Sequence, residues 1–317
     1  MTEARATQAV ETGAPDRAVR RPGHARRGRS TLAPLLWVGP AVVLIGVVVI
    51  WPAVEMVRTS LLRISFSGTE KGFTGLDNYA RLLANPALPG VLARTAIWVF
   101  AVVAITMVIS LFLGQLLNQQ FPGRRLVRIA LIVPWAASVV VTAMIWRFMF
   151  DNFYGVLDRL LIDLHFPGAP IDWLGNPTLA FACVIAVAVF VSLPFTTVVI
   201  IAGLQGIPDE ILESARVDGA SAWRSYRSIT LPLLRPALLV ASLINLINVF
   251  NSFPIIWIIT NGGPGYETDT TTTYMYKLAF RTADVGQSAA LAVVNFAAIL
   301  IVIAIYLRTV RGTALTY

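Results

Sequence analysis

Two groups of polar residues stand out against an otherwise apolar chain. The first is Glu213-Ser214-Ala215, then Gly219, then Ile229-Thr230-Leu231-Pro232, set between two long apolar segments. Pro208 suits the first turn of a helix, and Asp209, Glu210 and Glu213 crowd toward the end where the helix dipole favours negative charge. Gly219 offers a break at which φ can turn positive. A second short helix is predicted from Ser221, as N-cap, to Ile229, with Pro232 and Pro236 limiting its continuation. The chemistry available here is recognition, because a short helix-turn-helix on a membrane face is a docking knob. A plain polar connection between membrane helices could carry a lone Glu-x-Ala, but the joint spacing of these positions favours the knob.

The second group is Asn245, Asn248, Asn251, Ser252 and Pro254, inside an apolar run. Asn245, Asn248 and Ser252 share a helix face by three- and four-residue spacing. Uncharged donors and acceptors beside Phe253 and Trp257 suit a hydroxyl-rich, uncharged ligand with apolar ring faces. The same asparagines could equally be hydrogen-bonded glue between packed membrane helices, and the residues alone leave both readings open. In the preceding run, Ser192 and Pro194 interrupt the apolar residues, with Thr196 and Thr197 beyond. A break there frees backbone groups, which is tolerated only where protein or a cavity satisfies them.

The elements that must position these groups are built for lipid. The chain is 56% hydrophobic and only 13% charged, with a mean hydropathy of +0.72, against roughly 25% charged residues in a soluble domain. Six apolar runs reach the length of about 17 to 25 residues that crosses a bilayer as a helix: Leu35 to Val54, Ile97 to Leu117, Ile129 to Phe150, Leu179 to Leu204, Leu238 to Ile259, and Ala289 to Leu307. None alternates with period two, which disfavours a membrane barrel. The expected fold is an all-α membrane protein of six transmembrane helices. It divides into a disordered basic tail over residues 1–33, a six-helix transmembrane domain over 34–312 with its loop at 205–236, and a short tail over 313–317. The tail's rival reading is a targeting peptide, since an arginine-rich, acid-poor start also suits one. The run from Leu35 is too long for a signal-peptide core and reads as a retained span.

Orientation follows from the arginines, because short loops rich in Arg and Lys stay in the cytoplasm. With the N-terminus inside, the tail, Arg124, Arg125, Arg128, Arg216, Arg224, Arg227, Arg235, Arg308 and Arg311 place 16 of the 25 basic residues there. Acidic residues divide the other way, so the two sides carry +9 and −1 of the net +8. The basic balance is thus a topology signal, and no nucleic-acid partner is expected. Both termini and the Glu213 loop are expected in the cytoplasm. The preponderance of Arg over Lys hints at a GC-rich bacterial genome.

Several chemistries are excluded. A phosphate-cradling loop needs Gly-Lys-Ser/Thr, and the two lysines, Lys71 and Lys277, are not preceded by glycine. The chain is therefore not expected to be an enzyme or to hydrolyse ATP by itself. Cys183 is alone in a span, where a small buried apolar role is expected. His24 and His165 have no partner at ligand spacing, so neither a metal site nor a cofactor is expected. The spans lack ionisable groups near their middles, which disfavours an ion-coupled carrier, although sodium held by backbone carbonyls stays open.

With these residues assembled, the chain resembles the permease subunits of bacterial carbohydrate-uptake ABC importers of the maltose and glycerol-3-phosphate type. The likeness runs from about Leu35 to Leu307. It is carried by Gly75-Leu76-Asp77-Asn78-Tyr79, Leu131-Ile132-Val133-Pro134-Trp135, Ile171-Asp172-Trp173-Leu174-Gly175, Ile207-Pro208-Asp209-Glu210, Asn251-Ser252-Phe253 and Thr260-Asn261-Gly262-Gly263-Pro264, besides the Glu213 loop. The last element is similar to the first of the two permeases such importers pair. The resemblance implies a six-helix core in the bacterial inner membrane, a sister permease, two cytoplasmic ABC ATPases, an extracytoplasmic solute-binding protein and a sugar substrate. It also implies that the loop from about Pro208 to Leu231 is a coupling helix-turn-helix seated in an ATPase cleft. Glu213, Ala215, Asp218, Gly219, Ile229 and Pro232 would carry that coupling, with Ser214 at the second position of the family's Glu-Ala-Ala triplet. Asn248, Asn251 and Ser252 are the substrate-path candidates it implies. A permease for glycerol-3-phosphate or a related polyol phosphate is the alternative within the class, and a cationic pocket would favour it.

Overall fold

The computed structural model describes residues 32–65 and 68–314. The expected tail over 1–33 lies outside the described residues except for Leu32 and Ala33, which already open the first helix, and residues 315–317 of the C-terminal tail lie outside them too. The chain divides into two units at Pro52. The first holds α1 (Leu32–Ile45) and a π turn, Gly46–Ile50. Pro52 has no N–H to donate and its ring crowds the preceding turn, which a locally widened helix relieves. Accordingly, the Trp51 N–H reaches back five residues to the Gly46 carbonyl.

The second unit, from Ala53 on, takes in most of α2 (Trp51–Ser60) and then a small antiparallel hairpin, β1 (Leu62–Ile64) and β2 (Glu70–Phe73), with Leu62 opposite Phe73 and Ile64 opposite Glu70. There follow α3 (Asp77–Leu83), α4 (Leu88–Asn118), α5 (Arg124–Ala136), α6 (Val139–Met149), α7 (Val156–Asp163) and α8 (Pro177–Gln205). The remainder is α9 (Asp209–Val217), α10 (Ala222–Ser225), a second π turn at Tyr226–Thr230, α11 (Leu231–Leu233), α12 (Arg235–Phe250), α13 (Pro254–Ile259), α14 (Thr271–Phe280) and α15 (Val285–Ala314).

Among the described residues, four helices are long and apolar enough to cross a bilayer: Trp37–Ser60, Leu88–Asn118, Pro177–Gln205 and Val285–Arg308. They correspond to the first, second, fourth and sixth predicted runs. Each outruns its apolar stretch, because a helix continues until a cap or a turn stops it. The other two predicted runs are interrupted. Ile129 to Phe150 is split at Ala137–Ser138 into α5 and α6, and Leu238 to Ile259 is split at Asn251–Phe253 into α12 and α13. A further candidate span is a bent pair, Ala222–Leu233 with Arg235–Phe250, meeting at 62°.

Inside the second unit, α8 is the central helix, packed against α4 and α12. Small residues set these approaches, as is usual between membrane helices. A Cβ added at Gly114 of α4 would stand 2.7 Å from the Ile200 side chain, and one at Gly203 of α8 would stand 2.4 Å from Ala237 on α12. The main core gathers Trp98 and Val102 with Val184, Val187, Val249 and Ile256, and a second core joins Leu82 and Val91 to Tyr274 and Leu291.

The end of the bundle that holds α3 and α14 is tied by buried polar groups. Asn78, fully buried, donates to the carbonyls of Ser60 at 2.7 Å and Leu62 at 2.9 Å, and the Tyr79 hydroxyl lies 2.8 Å from Ser60 Oγ. Arg81 then bridges to Asp284 at the start of α15, at 2.8 Å. Lys277 of α14 is buried against Asp269 with Nζ and Oδ2 2.6 Å apart, and its ammonium lies 4.4 Å from the centre of the Tyr266 ring. Burial pushes the Asp269 carboxyl up from the ordinary carboxylate range, against the opposing pull of Lys277.

Candidate functional site

The Glu213 segment folds as a compact knob. Pro208, with ψ near 135°, is the N-cap of α9 and stands just outside the helix whose first turn carries Asp209 and Glu210. The helix ends at Asp218, and Gly219 takes φ +77°. The Ala220 N–H returns to the Ala215 carbonyl at 2.9 Å and the Gly219 N–H to the Arg216 carbonyl at 3.0 Å. That pair of bonds is a Schellman motif, which satisfies the last carbonyls of α9 through one left-handed residue. Nothing stands within 4 Å of a Cβ built on Gly219, so backbone conformation alone demands glycine there.

Ser221 caps the next helix as expected, accepting from the Arg224 N–H. The helix does not stop at Ile229, however. The Leu231 N–H reaches back five residues to the Tyr226 carbonyl, the same π turn that precedes Pro52, so the chain passes through Pro232 before bending at Leu234. Ala215 is buried, whereas Glu213, Asp218 and Gly219 are exposed and Ile229 and Pro232 are half-buried. Thus the expected coupling residues fall on one knob, with Glu213 and Asp218 turned to solvent.

A second site lies deeper. Three segments meet at one cavity of about 530 Å³: Ala137 at the α5–α6 break, the α8 residues flanking Pro194, and Ser252 at the α12–α13 break. Its polar lining includes Asn245, Asn248 and Ser252, and Trp98, Trp135 and Phe195 supply apolar surface. Ser192 and Thr196 also reach it. Here α8 is continuous through Pro194. The proline's missing N–H leaves the Phe190 carbonyl without its usual donor, and the Thr196 hydroxyl donates to the Ser192 carbonyl at 2.9 Å. Trp98 Nε1 donates to the Val249 carbonyl at 3.0 Å, which fixes the indole against α12. Asn245 is 3% exposed and its Nδ2 has no hydrogen-bond partner, an arrangement that costs about 1–3 kcal/mol unless something else accepts that bond.

Asn251 is not part of this cavity. Its Nδ2 donates to the Ile247 carbonyl of its own helix at 2.9 Å, and it lines a separate, shallower cleft with Phe253, Tyr276 and Phe280. Of the three expected path residues, Asn248 and Ser252 are brought together and Asn251 is turned away.

A family model described as the binding-protein-dependent transport system inner membrane component matches residues 106–313. The chain belongs to that family. This permease is 37% identical over 275 residues to a probable ABC transporter permease of Brucella suis biovar 1, a match covering 87% of this chain and 95% of its relative. It is 32% identical over 276 residues to the trehalose/maltose transport system permease MalF of Thermococcus litoralis, covering 87% and 92% of the two chains. Among solved structures, a chain of a bacterial ABC transporter involved in the import of the acidic polysaccharide alginate superposes with a TM-score of 0.77. That alignment covers 89% of the permease and 95% of the other chain at 20% identity, a likeness of fold.

Some features of the permease's two sites were not foreseen from residue types. On the knob, Val217 is 88% exposed and Trp223 is 69% exposed, a conspicuous apolar surface beside Glu213. Only the abrupt placement of these apolar residues in an otherwise polar segment could have signalled them. In the cavity, Trp98 and Trp135 lie far from the asparagines in sequence, and only the packing of α4 against α12, of α5 against α8 and of α6 against α13 brings them together.

Proposed function

We propose that this permease forms, with a sister permease, the translocation path for an uncharged sugar or oligosaccharide. The observation that supports this best is the cavity around Asn245, Asn248 and Ser252. It offers hydroxyl-matching amides and alcohols beside two indoles, and no ionisable side chain lines it. Its volume falls within the roughly 300–1,000 Å³ of small-molecule sites. The lack of a cationic lining disfavours glycerol-3-phosphate. MalF's name assigns it trehalose and maltose, which supports extending the sugar class to this chain.

In this reading a solute-binding protein delivers the sugar from outside the cell, and two cytoplasmic ATPases grip the knobs of the permease pair. Glu213, Ala215, Asp218, Gly219, Ile229 and Pro232 transmit ATP-driven closure to the pore. The family's binding-protein dependence supports the first partner, and the exposed knob supports the second.

The deciding experiment replaces Asn248 by Leu and measures uptake per assembled complex. A stranded sugar hydroxyl costs about 1–3 kcal/mol, so uptake is expected to fall roughly ten- to a hundredfold. Uptake near wild type with reduced complex yield would assign Asn248 to interhelical packing instead. Orientation is tested separately: cysteines at Gly72 or Tyr266 are expected to react with an impermeant thiol reagent added outside, and one at Ser221 is not. The reversed pattern would overturn the docking role of the knob.

A further inference from the structure

A cleft of about 660 Å³ lies between the C-terminal half of α4 and the knob. Its α4 wall is one helix face, built by Val108, Leu111 and Phe112, then Gln115, then Gln119. Read along the helix, that face passes from apolar to hydrogen-bonding side chains as it reaches the end of the span. The opposite wall comes from α9, α10 and the π turn and includes Arg216, Trp223 and Tyr226. Among the described residues, the side chains of Gln115, Gln119 and Arg216 make no hydrogen bond or ion pair with the protein. No carboxylate lines the cleft, so the Arg216 charge is uncompensated there.

We propose that this cleft holds one anionic phospholipid of the adjoining leaflet. Its phosphate would lie between Arg216, Gln115 and Gln119, and one acyl chain would run along Val108, Leu111 and Phe112. The gradient along α4 matches the amphiphile end for end. Val108 and Phe112 are both more than half exposed, and their positions on a membrane-spanning helix open the apolar end of the cleft toward lipid. Trp223 and Tyr226 stand at the boundary, where tryptophan and tyrosine favour the headgroup level. Cations at that level attract anionic lipid. Because the knob forms one wall of the cleft, a bound lipid would brace α9 and α10 against α4.

The test is native mass spectrometry of the assembled transporter titrated with phosphatidylglycerol or phosphatidylcholine. The wild-type complex is expected to retain phosphatidylglycerol in preference to phosphatidylcholine. Arg216→Gln is expected to weaken phosphatidylglycerol retention by about fivefold, the effect of one basic residue near an anionic lipid. Phe112→Trp, which fills the apolar end, should weaken retention of both lipids. Arg224→Gln lies on the knob but off the cleft and should behave as wild type. Equal retention of the two lipids by the wild type would overturn the proposal. So would an Arg224→Gln loss as large as that of Arg216→Gln, which would mean diffuse surface charge. If Arg216→Gln does not assemble, Phe112→Trp decides, and unchanged retention there rejects the site.

Discussion

The two ends of the second unit are held by opposite means. At the end formed by α3, α14 and the start of α15, structure comes from buried and half-buried polar side chains: Asn78 bridging two carbonyls, Arg81 joined to Asp284, and Lys277 enclosed with Asp269. At the knob, the shape comes from bonds local in the chain: a Schellman motif at Gly219, a serine side-chain cap at Ser221, and a π turn before Pro232. Side chains that bury charge must keep their partners or lose stability. Backbone motifs need no tertiary partner, so the knob holds its form while leaving Glu213, Val217 and Trp223 free for another surface. One end is a platform held by its own side chains, and the other keeps its form locally with those three side chains exposed.

The sharpest way to break that comparison is Lys277→Met. It strands Asp269 as a buried, uncompensated charge, and a loss of about 3–5 kcal/mol is expected, read as a fall in the thermal denaturation midpoint of the detergent-solubilised complex. Adding Asp269→Leu should restore most of it, because removing both charges leaves no orphan. A Lys277→Met midpoint equal to wild type would show that the platform does not depend on its buried pair.

At the knob the expected cost to folding is smaller and the cost to function larger. Gly219→Pro removes the N–H that closes on Arg216 and cannot reach φ +77°,. The strain of about 1–3 kcal/mol should leave insertion intact while solute-stimulated ATP turnover is lost. Gly219→Asn, which tolerates the left-handed region, should retain stimulation. Full stimulation in the proline variant would remove Gly219 from the coupling role.

The smallest effect concerns acid. Asp151 accepts from the Phe153 and Tyr154 N–H groups, and those backbone bonds, Tyr154's first, hold its carboxyl below the ordinary 3.8. Asp172 is lowered likewise by the Asn152 side chain and then by the Gly175 N–H. A carboxyl depressed in the folded state adds stability that is present above 3.8 and lost as pH falls through the lowered value. Hydrogen exchange at Phe153, Tyr154 and Gly175 should therefore quicken in that acid window relative to other turns, while the Gly219 and Ala220 amides, bonded only to backbone carbonyls, show no such step. Equal acid sensitivity at the knob would erase the distinction.

Much of this was legible in the residues. Gly219 and Ser221 announced a turn and a cap because those conformations admit few residue types, and long apolar runs announced helices. The break at Ala137–Ser138 was not legible, since neither residue forbids a helix and only packing interrupts it. Asn251 was a candidate through the family resemblance and not through helical spacing; just past the end of α12 its side chain turns back to the Ile247 carbonyl and lines a different cleft. The buried Lys277–Asp269 pair was hidden in the polar segment between two apolar runs, where polarity reads as surface. Pro232 seemed a stop, and the π turn let the helix continue through it.

The bend at Leu234 has a mechanical consequence. Leu234 is 1% exposed and stands where a Cβ on Gly203 would meet it at 2.8 Å, so the joint between knob and α12 is seated tightly against α8. Asn248 lies fourteen residues along the chain, roughly 21 Å away at 1.5 Å per residue. A tilt of α12 by about 10° on that fulcrum would sweep Asn248 through roughly 3.5 Å by the same rise, more than the length of a hydrogen bond. On the coupling proposed above, the joint would serve as a lever of long throw, so that a modest push on the knob would make or release a bond at the far end of the arm.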